Sequence, residues 1–218
     1  MLMAKKTGDS TPIEAGTFHA VCYMMCDIGT QYSAYYDKSS HKVIIGWEIP
    51  ELRIEVEREG EKLNLPRVIP RIYTLSLHKK SNLGQDLVSW RGQPFTSEEE
   101  KGFDIHTVLG ANCLLTIVHT EKDGSTYANI AAVTKLVKGM PKKEPENPII
   151  KYSMEEDGWN VPENVYDWIK DKIADSMEVK AVKKAAENDS LAVTQEKYGQ
   201  MPDGSVETEP VDNEDIPF

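Results

Sequence analysis

The chain has 218 residues and a formal net charge of -11, with 39% hydrophobic and 28% charged residues, which is the size of one domain with an appendage. No apolar run approaches the ~18 residues that span a bilayer. The N-terminal MLMAKKTGDS has two lysines but no apolar core behind them, so we expect neither a membrane span nor a secretory signal, and a cytoplasmic setting.

The acidity is unevenly spread. Residues 1–143 hold 18 Lys and Arg against 17 Asp and Glu, a net of +1, whereas residues 144–218 hold 7 against 19, a net of -12. Such asymmetry marks an interaction tail rather than a property of the fold. Three cysteines, Cys22, Cys26 and Cys113, are an odd and sparse set that argues against a disulfide framework. On a strand, Cys22 and Cys26 would share a face about 13 Å apart. That is too far for one tetrahedral zinc, so buried thiols are expected.

Residues 1–15 contain Gly, Ser, Thr and Pro without periodicity and are expected to be flexible or an edge extension. From Thr17, TFHAVCYMMCDIG reads as a strand ending at a glycine. TQYSAYYDKSSH, residues 30–41, reads as a polar loop bearing Tyr32, Tyr35 and Tyr36. In KVIIGWEIPELRIEVERE, Val43, Ile45, Trp47 and Ile49 alternate onto one face, and Pro50 should break or bulge the strand. RVIPRIYTLSL is a third strand, with Arg71 and Tyr73 on one side and Ile72 and Thr74 on the other.

The period then changes. SNLGQDLVSWRG places Leu83, Leu87 and Trp90 at helical spacing, with Ser81 as N-cap and Gly92 as stop. FTSEEEKGF reads as a short helix capped by Thr96 with acids in its first turn, and DIHTVLG as a further turn. ANCLLTIVHTEKDGSTYANIAAVTKLV is a hairpin around Lys122-Asp123-Gly124.

The order β-β-β-α-β-β is that of the OB-fold. The expectation is a mainly β (α+β) protein: a five-stranded OB-like barrel over residues 16–140, with the helical insertion between strands three and four. A linker and an amphipathic helix fill residues 141–187. In that helix, Pro162 sits at the start, and Val165, Trp168, Ile169, Ile173 and Met177 form an apolar stripe that would dock on the barrel or on a second subunit. Residues 188–218 are polar and acidic, and disorder is expected there.

Catalytic motifs are missing from the sequence: there is no GxxxxGK[ST], HExxH or GxSxG. The five histidines are scattered, and Glu98-Glu99-Glu100 reads as a helix start rather than a metal cluster. A binding protein without cofactor or metal is therefore expected, not an enzyme. Single-stranded nucleic acid is held by aromatic faces that stack on bases and by Lys and Arg that follow the phosphates. Candidates are Tyr32, Tyr35, Tyr36, Trp47, Arg71, Tyr73, Lys79, Lys80, Trp90 and Arg91. Trp47 and Trp90 lie on apolar stripes, which favours the core over a stacking role for these two. Because the body is near neutral, binding would rest on a local groove plus stacking worth ~1–3 kcal/mol per base.

The chain's last residues, Asp212, Asn213, Glu214, Asp215, Ile216, Pro217 and Phe218, resemble the C-terminal tip of bacterial and phage single-stranded-DNA-binding proteins, whose pattern is several aspartates followed by Ile-Pro-Phe. The resemblance implies that Asp212, Glu214, Asp215, Ile216, Pro217 and Phe218 recruit replication or recombination proteins. The chemistry suits a docking peptide, since the Phe218 ring can fill a pocket while the acids steer toward a basic surface. GWEIPE (46–51), RIYTLSLHKKSNLGQDLVSWRG (71–92) and LGANCLLTIVHTEKDGSTYANI (109–130) resemble a family of phage replication proteins described as replication-initiation or single-stranded-DNA-binding proteins. That resemblance spans residues 16–140 and implies strand binding, with no catalytic residue carried over. A replication-initiation or recombination-mediator adaptor, in which protein contacts dominate, is the second reading. A nuclease is the third.

Overall fold

A computed structural model of the protein describes residues 11–186 apart from Glu59. The chain separates into two units, Met1–Lys180 and Ala181–Phe218, and every described strand lies in the first. The strands are β1 (Gly16–Ser33), β2 (Lys38–Arg58), β3 (Glu61–Thr74), β4 (Asn112–Lys122), β5 (Ser125–Lys135) and β6 (Ile150–Tyr152). The helices include α1 (Asn82–Arg91), α2 (Met154–Asp157) and α3 (Asp167–Ala174), with single 3-10 turns at Glu99–Lys101 and Ile105–Val108, and residues 177–186 are helical as well.

The protein is mainly β, as expected. The antiparallel path runs β3-β2-β1-β4-β5, and β6 joins β1 in parallel outside that path. This makes six strands where five were expected. Among the described residues the path is open, with β3 and β5 at its ends. Helix α1 lies between β3 and β4 in sequence and packs against both end strands. Its ends follow local rules: the Ser81 hydroxyl accepts the Gly84 N–H, and Gly92 closes the helix at φ 72° with its N–H on the Val88 carbonyl.

β1 and the facing part of β2 are buried on both sides. One core gathers Cys22, Met25, Val43, Ile45, Trp47 and Ile49 with Leu83, Leu87 and Trp90 of α1. The other gathers Tyr23, Met24, Cys26 and Ile44 with Ile150, Tyr152, Val165, Ile169 and Ile173. The C-terminal elements therefore dock on the sheet, as the apolar stripe predicts. A one-residue register shift between Cys22 and Met24 reverses the alternation of β1. Cys22 and Cys26 consequently enter opposite cores, not the single face that an unbroken strand would give them. All three thiols are buried and free.

Several boundaries differ from the sequence reading. The loop expected over residues 30–41 contracts to a turn at 34–37, because β1 and β2 pair as far as Ser33 with Lys38. The bulge expected at Pro50 is present as a register shift between Ile49 and Arg53. The helix after Thr96 is a 3-10 turn whose N-cap position is Glu98, not Thr96, although the Thr96 hydroxyl accepts the Glu99 N–H. The helix starting near Pro162 begins only at Asp167 and stops at Asp175, and Trp168 and Met177 face outward. Residues 11–15 lie against the sheet, with Ile13 in the first core and its carbonyl bonded to the His119 ring. The expectations for residues 1–10 and 188–218 fall outside the described residues.

Candidate nucleic-acid interface

The β1–β2 turn presents three tyrosines to solvent. Tyr32, Tyr35 and Tyr36 are 61%, 88% and 74% exposed, and the rings of Tyr35 and Tyr36 meet edge to face at 4.7 Å. The Tyr32 hydroxyl donates to Asp37 at 2.8 Å. That bond raises the phenol pKa, so Tyr32 stays neutral.

Beyond the turn, alternation along β2 sends Lys38, Ser40 and Lys42 to one face of the sheet. Register places Lys42 opposite Thr74 and Ile44 opposite Ile72 on β3, and the Lys42 ammonium donates to the Thr74 hydroxyl at 2.7 Å. Lys172 of α3 joins from the C-terminal layer. Its carbonyl accepts the Gln31 side-chain amide at 2.9 Å, and the same amide bonds the Ile28 carbonyl at 2.6 Å, which fixes α3 to the end of β1.

These side chains line a groove of about 590 Å³ that includes Tyr32, Tyr36, Lys38, Lys42 and Lys172. A second hollow of about 490 Å³ shares Lys42, Ile72 and Thr74 with it and adds His78, Lys80 and Ser81. Together they form one strip with four lysines, two exposed tyrosine rings and the half-exposed Ile72. Among the described residues, no acidic side chain lines either part. Such a surface can pair phosphates with ammonium groups and offer flat faces to bases.

Of the ten nucleic-acid candidates, Tyr32, Tyr36 and Lys80 come together here. Tyr35 is beside them in the turn, and Lys79 is exposed next to Lys80, its carbonyl accepting the Gln85 amide. The remaining five serve the fold. Trp47, Tyr73 and Trp90 are 1%, 2% and 6% exposed; Trp47 packs between the other two rings. As base-stacking faces they are corrected to core residues, because α1 closes over that side of the sheet. Burial and the adjacent Asp86 push the Tyr73 phenol far up, and its hydroxyl donates to Asp86 at 2.7 Å. Arg71 binds the same Asp86 oxygen at 2.9 Å. Arg91 pairs with Glu99, its guanidinium lying against both the Phe95 and the Phe103 ring, which also touch each other.

Lys38, Lys42, Ile72 and Lys172 were missed. The alternation Lys38-Ser40-Lys42 in the sequence could have indicated the first two once the strand was known to start at Lys38. Lys172 carries no such signal, since it reaches the strip only through the docking of α3. The tip residues Asp212, Glu214, Asp215, Ile216, Pro217 and Phe218 lie outside the described residues.

On another side of β1, a polar cluster joins the sheet to the segment after α3. His41 Nε2 lies 2.7 Å from Asp27, and its Nδ1 lies 3.9 Å from Glu178. Glu178 accepts the Thr30 N–H at 2.8 Å and the Thr30 hydroxyl at 2.6 Å. The contact depends on Gly29, which bulges β1 at φ 65°; a Cβ there would sit 2.7 Å from Glu178 Oε2 and from the Met154 methyl.

No helix among the described residues is long and apolar enough to cross a membrane. Compared with known proteins, the chain matches no family model, no curated protein and no solved structure.

Proposed function

We propose that this chain is a single-stranded-DNA-binding protein of phage DNA replication or recombination. The observation that carries the reading is the strip, lined by no acidic side chain among the described residues, in which Tyr32 and Tyr36 adjoin Lys38, Lys42, Lys80 and Lys172. Bases stack on the tyrosine rings and phosphates follow the lysines. A near-neutral body is compatible with this, since affinity comes from local charge and stacking rather than from the overall field. Support for an OB-like barrel comes from the β-β-β-α-β-β order and from α1 filling the space between the two end strands. The protein acts by binding and not by catalysis, and its acidic tip, ending at Phe218, recruits replication or recombination partners.

A titration of poly-dT against duplex DNA of equal length tests the strand reading. Tight binding to poly-dT that weakens with salt, and much weaker binding to duplex, is expected. Equal or absent binding to both would overturn it. The net charge of -12 over residues 144–218 favours the adaptor as second reading. In that case, partner capture would depend on Phe218 while poly-dT failed to bind.

A further inference from the structure

We propose that a second strand-binding groove lies at the far end of α1 and takes further nucleotides of the same DNA strand. The inference rests on the strand-binding reading above. The groove, of about 410 Å³, is lined by Arg91, Lys135, Lys138 and Lys142 and by the apolar Val137 and Met140, with no acidic side chain among the described lining residues. Val137 and Met140 are 56% and 37% exposed, an apolar surface left uncovered among the described residues. Three lysines around an apolar floor, beside an Arg91 already paired with Glu99, match a chain of phosphates that carries apolar ring faces.

The placement relative to the first strip is set by α1. Ser81, the N-cap, lines the hollow that holds Lys80, and Arg91, the last residue of the helix, lines this groove. Ten residues at ~1.5 Å each separate the two ends by about 15 Å. Between them α1 exposes Asn82, Gln85 and Ser89, none of them acidic. The part-buried Asp86 lies on this face too, but Arg71 and the Tyr73 hydroxyl already hold its carboxylate, so a strand leaving the first strip can follow the helix past a neutralised group.

Lys135 has a reason to be there without DNA. Its stem packs on Gly92, at the helix C-terminus, where a cation is favoured by the dipole. Lys138 and Lys142 are exposed and have no such role, so they carry the test.

The experiment compares wild type with Lys138→Ala/Lys142→Ala, using oligo-dT of about 4 and about 16 residues, the range of site sizes for one such barrel. The short oligonucleotide fits the first strip alone, and its affinity is expected to be unchanged. For the long one, the salt slope should fall by about 1.4, at ~0.7 for each single-strand phosphate that the protein no longer neutralises. An unchanged slope and affinity with the long oligonucleotide would overturn the second groove and leave the first strip standing. Wild type that binds neither length would overturn both. An equal urea midpoint for the two proteins guards against a folding defect.

Discussion

Glu48, buried in the middle of β2, accepts the backbone N–H of Asn147 at 2.9 Å, 99 residues further along the chain. The same carboxyl group takes the Glu146 N–H at 2.6 Å and the Asn147 side-chain amide at 2.7 Å. Three donors of an otherwise extended segment are satisfied by one side chain, and this leads the chain into β6. Removing the acceptor leaves partly buried N–H groups unpaired, at ~1–3 kcal/mol for such a group. Glu48→Ala should therefore lose at least about 2 kcal/mol in a urea titration. The exposed neighbour Glu51, paired with Lys143 at the surface, should lose less than about 1 kcal/mol on the same change.

The Glu178 contact is sensitive to acid. Burial pushes its carboxyl pKa up, but the Thr30 hydroxyl, the Thr30 N–H and the nearby His41 outweigh this and leave it below the ordinary 4.5. A depressed carboxyl pKa stabilises the fold fully above the unfolded value and loses that contribution as pH falls through the folded value. The Thr30 amide resonance should therefore shift with a midpoint below about pH 4.5. In Glu178→Gln the shift should vanish, while a retained midpoint would show that Glu178 is not the group responsible.

Strand affinity should divide the aromatic residues into two groups. Tyr36→Ala is expected to weaken poly-dT binding by about 5- to 150-fold, from ~1–3 kcal/mol of stacking. Lys42→Ala should lower the salt slope by about 0.7. Tyr73→Phe, which removes the hydrogen bond to Asp86, should cost about 1 kcal/mol of stability and leave the affinity of the folded protein unchanged. Fluorescence anisotropy with labelled oligo-dT, paired with urea titrations, reads all three.

The cysteines should be silent in the native state. Burial pushes the Cys22 and Cys113 thiols well above their usual range, and burial with the adjacent Asp27 brings Cys26 up to about 12. Only the thiolate reacts, so a thiol reagent at neutral pH should label none of the three in the folded protein and all three in urea. Labelling of a native thiol would mean that one of the two cores opens.

Much of the architecture is legible along the chain because it is written in local rules. Ser81 and Gly92 bound α1, and Asp123-Gly124 turns β4 into β5, both residues adopting positive φ. Pro50 marks a bulge. The site was legible only in its exposed parts. Tyr36 and Lys80 sit at a turn and a loop, and Tyr32 at the end of β1 beside that turn, where polar surroundings signal exposure. Apolar periodicity points Trp47 and Trp90 toward the core, whereas Tyr73 shares its strand face with Arg71 and no local pattern places it.

The sequence by itself determined the mainly β character, the element order, the caps and turns, and the separation of a near-neutral body from an acidic end. These follow from periodicity, from backbone preferences and from counting charges, none of which requires distant residues to meet. Tertiary structure decided which face of each strand is covered. The β1 bulge after Cys22 reverses the side-chain alternation, α1 covers three aromatic rings, and α3 carries Lys172 to lysines more than a hundred residues earlier. Burial and the gathering of charge depend on contacts between segments far apart in the chain, so they are fixed only when those segments pack.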